Sequence, residues 1–207
     1  WAIVICAFII LIINSINLGM VYNVKSLPTT YLIVAELTEM SIFFFMAILL
    51  IYTGELMWSA RQVKLDYIID SMPIGPLNSM ASKFLALFVI YTLLLLALMF
   101  AGMTFQILQG YCHFDFKVYW VGFFVEILPF LILYTIVAFF FQSLCGNKFL
   151  GMAATMLFFL GNMIFGLMFK DYPWLNFGGH ALVSYSEMNQ FGHFLKPFLW
   201  VKIYWFI

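Results

Sequence analysis

Long apolar runs decide what this chain can fold into. The clearest covers residues 80–108, MASKFLALFVIYTLLLLALMFAGMTFQIL, in which Lys83 is the only charged side chain. A helix needs about 20 apolar residues to cross the hydrocarbon core of a bilayer. Over all 207 residues the chain is 66% hydrophobic and 9% charged, whereas a soluble domain carries about 25% charged residues. The sequence therefore predicts an all-α polytopic membrane protein, since helices satisfy their own backbone polar groups in lipid.

The apolar runs predict five spans and the beginning of a sixth, all within one transmembrane domain. Both ends of the chain are apolar, without an initiator Met or a basic leader segment, so we expect an internal part of a longer polypeptide. Polar segments at residues 54–76 and 170–197 separate the second span from the third and the fifth from the sixth. The predicted spans are residues 1–18, 31–53, 80–108, 118–141, 149–169 and 198–207.

The charged residues indicate neither a nucleic-acid partner nor the orientation of the domain in the membrane. The formal net charge is zero, so no nucleic-acid partner is expected. Apart from Lys202, the basic residues lie in the connections or near span ends and divide equally between the two sides, so the positive-inside rule does not orient the domain. One side would carry Arg61, Lys64, Lys83 and Lys148, and the other Lys25, Lys117, Lys170 and Lys196.

The segment at residues 54–76 concentrates charge in an otherwise apolar chain. Within it Leu65, Ile68, Ile69 and Met72 recur at three- and four-residue spacing, which predicts an amphipathic helix at the interface or docked on a protein partner. The prolines that follow end such a helix. An ordinary surface loop with one helical turn is the alternative. The charged residues are Glu55, Arg61, Lys64, Asp66 and Asp70.

Two stretches carry a family resemblance. GELMWSARQVKLDYIIDSMPIGPLNSMASKFLAL and YSEMNQFGHFLKPFLWVKIYW, with GYCHFD and NKFLG in order between them, resemble a bacterial subgroup of ABC-2 type exporter permeases from about residue 40 onward. Where that subgroup usually carries charge after the tryptophan, this chain has Ser59 and Ala60. The matched positions of the first stretch are Gly54, Glu55, Leu56, Trp58, Arg61, Asp70, Pro73, Ser82, Lys83, Phe84, Ala86 and Leu87.

The resemblance implies an ABC-2 type six-helix transmembrane domain, here five spans plus the start of a sixth. Such a permease subunit belongs to an ATP-driven exporter in the bacterial cytoplasmic membrane. Its implied partners are an ABC ATPase subunit, which binds ATP and Mg, a second permease half or copy, and the lipid bilayer. No cofactor, metal or catalytic residue is expected in this chain. Neither a Walker A loop nor His-Glu-x-x-His occurs in it, so the ATPase and any fused zinc aminopeptidase-like domain would lie elsewhere.

The resemblance also implies roles for named residues. Residues 54–76 would hold a coupling helix that docks on the ATPase, and the segment at 170–197 would help to close the exit. The coupling residues would be Gly54, Glu55, Trp58, Arg61, Asp70 and Pro73. The external gate segment would include Tyr185, Asn189, Gly192 and His193.

Carboxylates predicted inside spans are functional candidates by default. Glu36, Glu39 and Glu126 are candidates to line a translocation path. Alternatively, Glu36 and Glu39 lie at the water interface or pair with Lys25, and a protonated or hydrogen-bonded Glu126 fills the backbone gap left by Pro129. The spacing of His180, Glu187 and His193 matches no standard metal pattern and favours hydrogen-bonded packing.

Two other functional classes remain open from the sequence. A polytopic membrane enzyme would use the glutamates and histidines and would act without nucleotide. A structural subunit of a secretion or motility complex would associate with partners that are not ATPases and would not respond to ATP.

Overall fold

The computed structural model describes residues 29–62, 75–111, 113–169, 176–178, 185 and 191–206, and these residues form helices without a strand. A short 3₁₀ turn, Gly192–Phe194, leads into the last helix. The predicted first span lies outside the described residues, as do residues 63–74. The helices are α1 Thr30–Gln62, α2 Pro76–Leu108, α3 Phe116–Leu144, α4 Lys148–Met168 and α5 Leu195–Phe206.

Four of these helices are long and apolar enough to cross a membrane: α1 through its window Ser41–Ser59, then α2, α3 and α4. The chain is therefore an integral membrane protein. Exposed apolar side chains such as Leu157 and Met168 on α4 are compatible with contact to lipid, where apolar surface has no reason to be buried.

The helix α1 does not end where apolar sequence gives way to charge. The second span was predicted to end at residue 53, but the helix continues to Gln62. No proline interrupts it, and the Thr53 hydroxyl stays within the helix by donating to Leu49 O at 2.6 Å. The first nine residues of the predicted polar segment, 54–62, are thus a direct extension of a membrane helix.

The helix α3 changes its winding before Pro129. Residues Val121–Ile127 are π-helical, and the Leu128 N–H donates to Phe123 O, five residues back. Pro129 has no N–H, and its ring excludes the carbonyl that an α-helix would place beside it. A wider turn just before the proline relieves that clash, so the irregularity expected at Glu126 and Pro129 takes the form of a π segment.

The chain divides into two compact units. The first contains residues 1–45 and 89–128. In it, glycines allow close approach of helices: a Cβ on Gly122 would lie 2.5 Å from Val34 Cγ1, and one on Gly102 would lie 3.0 Å from the Tyr119 hydroxyl. That hydroxyl donates to Gln106 Oε1 at 2.7 Å. Gln106 Nε2 donates to Thr30 Oγ1 at 3.1 Å, so buried polar groups join α1, α2 and α3.

The second unit contains residues 46–88 and 129–207. An aromatic cluster lies in its core, where the ring of Tyr134 meets the rings of Phe159 and Phe177 edge-on, with centroids 5.6 and 5.4 Å away. Edge-on aromatic pairs add about 0.5–1.5 kcal/mol beyond area burial. The C-terminal part of α1 packs in the same unit, beside the turn between α3 and α4.

Candidate functional site

The C-terminal part of α1 meets the turn that joins α3 to α4. We call this contact the corner cluster. Three of its members, Gly54, Glu55 and Trp58, belong to the six residues expected to couple the domain to an ATPase. The corner cluster consists of Gly54, Glu55, Trp58, Gln142, Lys148 and Gly151.

The amide of Gln142 connects the three helices at this corner. Trp58 Nε1 donates to Gln142 Oε1 at 2.8 Å, and Gln142 Nε2 donates to Lys148 O at 3.4 Å. Gln142 is buried, so both ends of its amide need a partner. A Cβ on Gly151 would lie 2.6 Å from Gln142 Oε1. Glycine at 151 therefore leaves the space that this amide occupies.

An ion pair joins the same helices at the surface. Lys148 Nζ pairs with a carboxylate oxygen of Glu55, whose side chain is 53% exposed against 15% for Lys148. The stem of Lys148 lies along Gly54, where a Cβ would be 3.3 Å from Lys148 Cε and 3.2 Å from Met152 Sδ. Exposed ion pairs contribute under about 1 kcal/mol. The pair therefore aligns α1 with α4 more than it stabilises the fold.

This geometry refines the expected coupling roles. Trp58 and Glu55 contact α3 and α4 of their own chain, which leaves the indole N–H of Trp58 engaged and half of Glu55 accessible. Arg61 lies on the last turn of α1. Asp70 and Pro73 lie outside the described residues, so contact between these three residues and an ATPase stays a prediction.

The three candidate glutamates all belong to the first compact unit. On α1, Glu36 is half-buried and Glu39 is exposed, and both precede the apolar window that begins at Ser41. Glu126 is half-buried within the π segment of α3. The positions of Glu36 and Glu39 fit the water-interface alternative, whereas Glu126 lies inside a helix that can cross the membrane.

Little of the predicted gate segment falls within the described residues. The Tyr185 ring packs against Phe191 with centroids 5.2 Å apart. Gly192 has a positive φ of 50° at the start of the 3₁₀ turn that contains His193. Asn189, His180 and Glu187 lie outside the described residues. Within the described part of the chain, no group of three His, Cys, Asp or Glu side chains could hold a metal ion.

Sequence reasoning missed four polar residues that the structure places in contacts between helices: Gln142, Lys148, Asn162 and Lys202. Lys202 had a visible signal, because it is the only charge in the apolar run FLWVKIYWFI. Gln142 and Asn162 had none, since an amide in an apolar helix does not reveal which neighbouring helix it faces.

The comparisons with known proteins are negative. No protein-family model matches the chain, and neither the curated proteins nor the solved structures give a match.

Proposed function

We propose that this chain is the transmembrane permease subunit of an ATP-driven exporter of the ABC-2 type, in a bacterial cytoplasmic membrane. Support comes from the family resemblance in residues 54–87 and 185–205, and from four helices able to span a bilayer. ATP would be hydrolysed by a separate ATPase subunit. The observation that carries the proposal is the corner cluster, which ties the resembling segment to two further spans.

The first mechanical requirement of coupling is a stiff connection. The helix α1 runs without interruption from Thr30 to Gln62, so its membrane part and the first nine residues of the coupling segment move as one piece. A force applied beyond Gln62 would therefore reach the membrane along a single helix.

The second requirement is that the force reaches more than one span. The Trp58–Gln142 hydrogen bond and the Glu55–Lys148 ion pair connect α1 to α3 and α4 at the same end. A displacement of α1 would carry the α3–α4 turn with it. In this proposal Trp58 and Glu55 transmit motion within the permease, while Arg61, Asp70 and Pro73 provide the contact with the ATPase.

This division of roles defines the experiment. The tagged full-length protein is purified from its own host, and an ATP-hydrolysing subunit that co-purifies is identified and also expressed alone. ATP turnover of the complex in liposomes is then divided by turnover of the isolated ATPase. We expect Trp58→Phe and Gln142→Leu to lower this ratio severalfold at unchanged yield of complex. We expect Arg61→Ala and Asp70→Asn to lower the yield itself.

A matched control comes from the neighbouring residue. Ser59 is exposed, and its hydroxyl donates to Leu56 O of its own helix at 3.4 Å, so Ser59→Ala should change neither quantity. If the wild-type protein brings down no ATP-hydrolysing subunit, the exporter proposal is wrong. If the complex forms but Trp58→Phe behaves as wild type, the transmission role of the corner cluster is wrong and the subunit assignment stands.

A further inference from the structure

A short turn at residues 176–178 lies among three helices of the second unit. The helix α4 ends at Met168, and Asn162, which contacts the turn, lies six residues earlier. At 1.5 Å per residue this is about 9 Å inside the end of the helix. Residues 176–178 therefore lie alongside α4, within the helical pack of this unit. Non-helical backbone inside the helical pack of a membrane protein is tolerated where protein groups satisfy its polar atoms.

Asn162 satisfies both the C=O and the N–H of Phe177, the central residue of the turn. Its Nδ2 donates to Phe177 O at 2.9 Å, and its Oδ1 accepts from the Phe177 N–H at 2.9 Å. The same Nδ2 donates to the Tyr134 hydroxyl at 2.8 Å, which connects α4 to α3. A side-chain amide carries both donors and an acceptor, so it can match the C=O and the N–H of one peptide residue.

Lys202, on α5, satisfies the carbonyl of Gly178, the next residue of the turn. It is 3% exposed, and its Nζ donates to Gly178 O at 2.8 Å. The same nitrogen lies 5.1 Å from the centroid of the Phe198 ring, one turn earlier in the helix. A lysine in this setting carries a large desolvation cost and is therefore a functional candidate by default.

The turn is shaped to fit this position. Gly178 has a positive φ of 65°, which favours glycine, and a Cβ there would lie 3.3 Å from Phe130 Cδ2. The ring of Phe177 meets those of Phe158 and Trp205 edge-on, with centroids 5.4 and 5.0 Å away. Aromatic packing and hydrogen bonds thus hold the same residue.

Two buried polar atoms, one in the turn and one beside it on α5, are not satisfied. Asn176 Oδ1 and Trp205 Nε1 have no hydrogen-bond partner in the described structure. A buried polar atom without a partner costs about 1–3 kcal/mol. In the closed arrangement, the turn is therefore held by good hydrogen bonds through Phe177 and Gly178, while Asn176 Oδ1 and Trp205 Nε1 lack partners among the described residues. If the turn opened toward water, water would supply the two missing hydrogen bonds. An element with opposing contributions of this kind is suited to switch between two arrangements.

We propose that Lys202 and Asn162 are positioning residues that hold residues 176–178 as a releasable latch between α4 and α5. While closed, the latch ties α5 to α4 and α3 through the backbone of Phe177 and Gly178. When it opens, Asn176 and Trp205 reach water. The inference rests on contacts within the second unit and does not require that the chain works with an ATPase.

The test measures how often the latch opens. A single cysteine replaces Asn176 in the full-length protein after the other cysteines are changed to serine, and its labelling by a maleimide is followed in membranes. We expect slow labelling in the parent and labelling on the order of tenfold faster in Lys202→Met and in Asn162→Leu, because each removes hydrogen bonds to the turn. Lys196→Met is the matched control, since Lys196 is exposed on the same helix.

A second reporter separates release of the latch from general unfolding. Thr155 is fully buried in α4 and donates to Gly151 O at 2.8 Å. A cysteine at 155 should stay unlabelled in both latch variants. Equal labelling of the Asn176 reporter in parent and variants would overturn the proposal. Labelling that rises in parallel at 176 and 155 would also overturn it, because the two side chains would then only maintain the fold.

Discussion

Two lysines of the second unit hold helices together in opposite environments. Lys148 in the corner cluster pairs with a carboxylate whose side chain is 53% exposed. Lys202 is 3% exposed and donates to the carbonyl of Gly178. When the first contact breaks, water solvates the Glu55 carboxylate at once, and Lys148 itself is 15% exposed. When the second breaks, polar atoms remain among aromatic rings, so opening costs far more unless water enters.

The difference assigns the two contacts different mechanical roles. A contact that reforms easily in water can adjust as α1 changes position against α3 and α4, so it suits the transmission we propose for the corner cluster. A buried contact that is costly to break holds one arrangement until a larger force acts. The latch at residues 176–178 is of this second kind. The loss of stability caused by substitutions in either place should follow the burial of the side chain rather than its formal charge.

The largest effect is expected at Asn162. Asn162→Ala removes hydrogen bonds to the Tyr134 hydroxyl and to both polar groups of Phe177. Hydrogen bonds between membrane helices contribute about 0.6 kcal/mol on average and up to about 1.7. We expect the free energy of unfolding to fall by about 2–3 kcal/mol, measured by titration with a denaturing detergent.

Asn147 provides the matched control for that loss. It is an exposed asparagine that precedes α4 and makes no side-chain capping hydrogen bond. Asn147→Ala should change the free energy of unfolding by under about 0.5 kcal/mol, as most surface substitutions do. Equal losses at the two asparagines would mean that burial of the Asn162 amide does not set its contribution.

Much of the fold could be predicted from the apolar composition of the chain. Apolar runs of the length of residues 80–108 leave a membrane helix as the only solution, and α2, α3 and α4 lie on the runs that predicted them. The ends of the helices are harder to predict from the sequence. The charge that begins at Glu55 marks a change of environment, yet α1 continues to Gln62 because hydrogen bonding along the helix does not depend on that change.

The contacts between helices could not be predicted in the same way. The resemblance selected Trp58 and Glu55, but their partners Gln142 and Lys148 are 84 and 93 residues further along the chain. Which side chain faces which depends on how the helices pack, and local sequence does not encode that. Lys202 was missed as well, although a single charge in an apolar run is a visible signal of a buried contact.

Gly151 offers the next test of the comparison, in the corner cluster. A Cβ there would lie 2.6 Å from Gln142 Oε1, so Gly151→Ala must displace the amide that holds Trp58. Overpacking costs about 1–3 kcal/mol, and we expect a loss near 2 kcal/mol in the detergent titration. Gly161 on the same helix has no atom within 4 Å of a built Cβ. Gly161→Ala should be neutral or slightly stabilising, and a loss equal to that of Gly151→Ala would contradict the steric argument.

A smaller effect is expected from the indole of Trp58. Trp58→Phe keeps an aromatic ring but removes the N–H that donates to Gln142 Oε1. One hydrogen bond at a partly buried position contributes about 1 kcal/mol. Thermal unfolding in detergent should show a lower midpoint for this variant. Trp200→Phe is the control, because Trp200 is 71% exposed on α5. A midpoint lowered equally by both variants would show that the hydrogen bond is not the cause.

The smallest effect on stability is expected for the Glu55–Lys148 ion pair. It tests whether the pair aligns the helices rather than stabilising the fold. Glu55→Gln and Lys148→Met should each lower the free energy of unfolding by under about 1 kcal/mol. In a double-mutant cycle the coupling between them should shrink as salt rises, since the Debye length falls from about 10 Å at 0.1 M to about 3 Å at 1 M. The same two variants should lower the ATPase turnover ratio of the complex by a larger factor than their stability loss implies. A coupling above about 2 kcal/mol that salt does not change would place Lys148 with Lys202, as a buried holding contact, and would remove the distinction drawn between the two lysines.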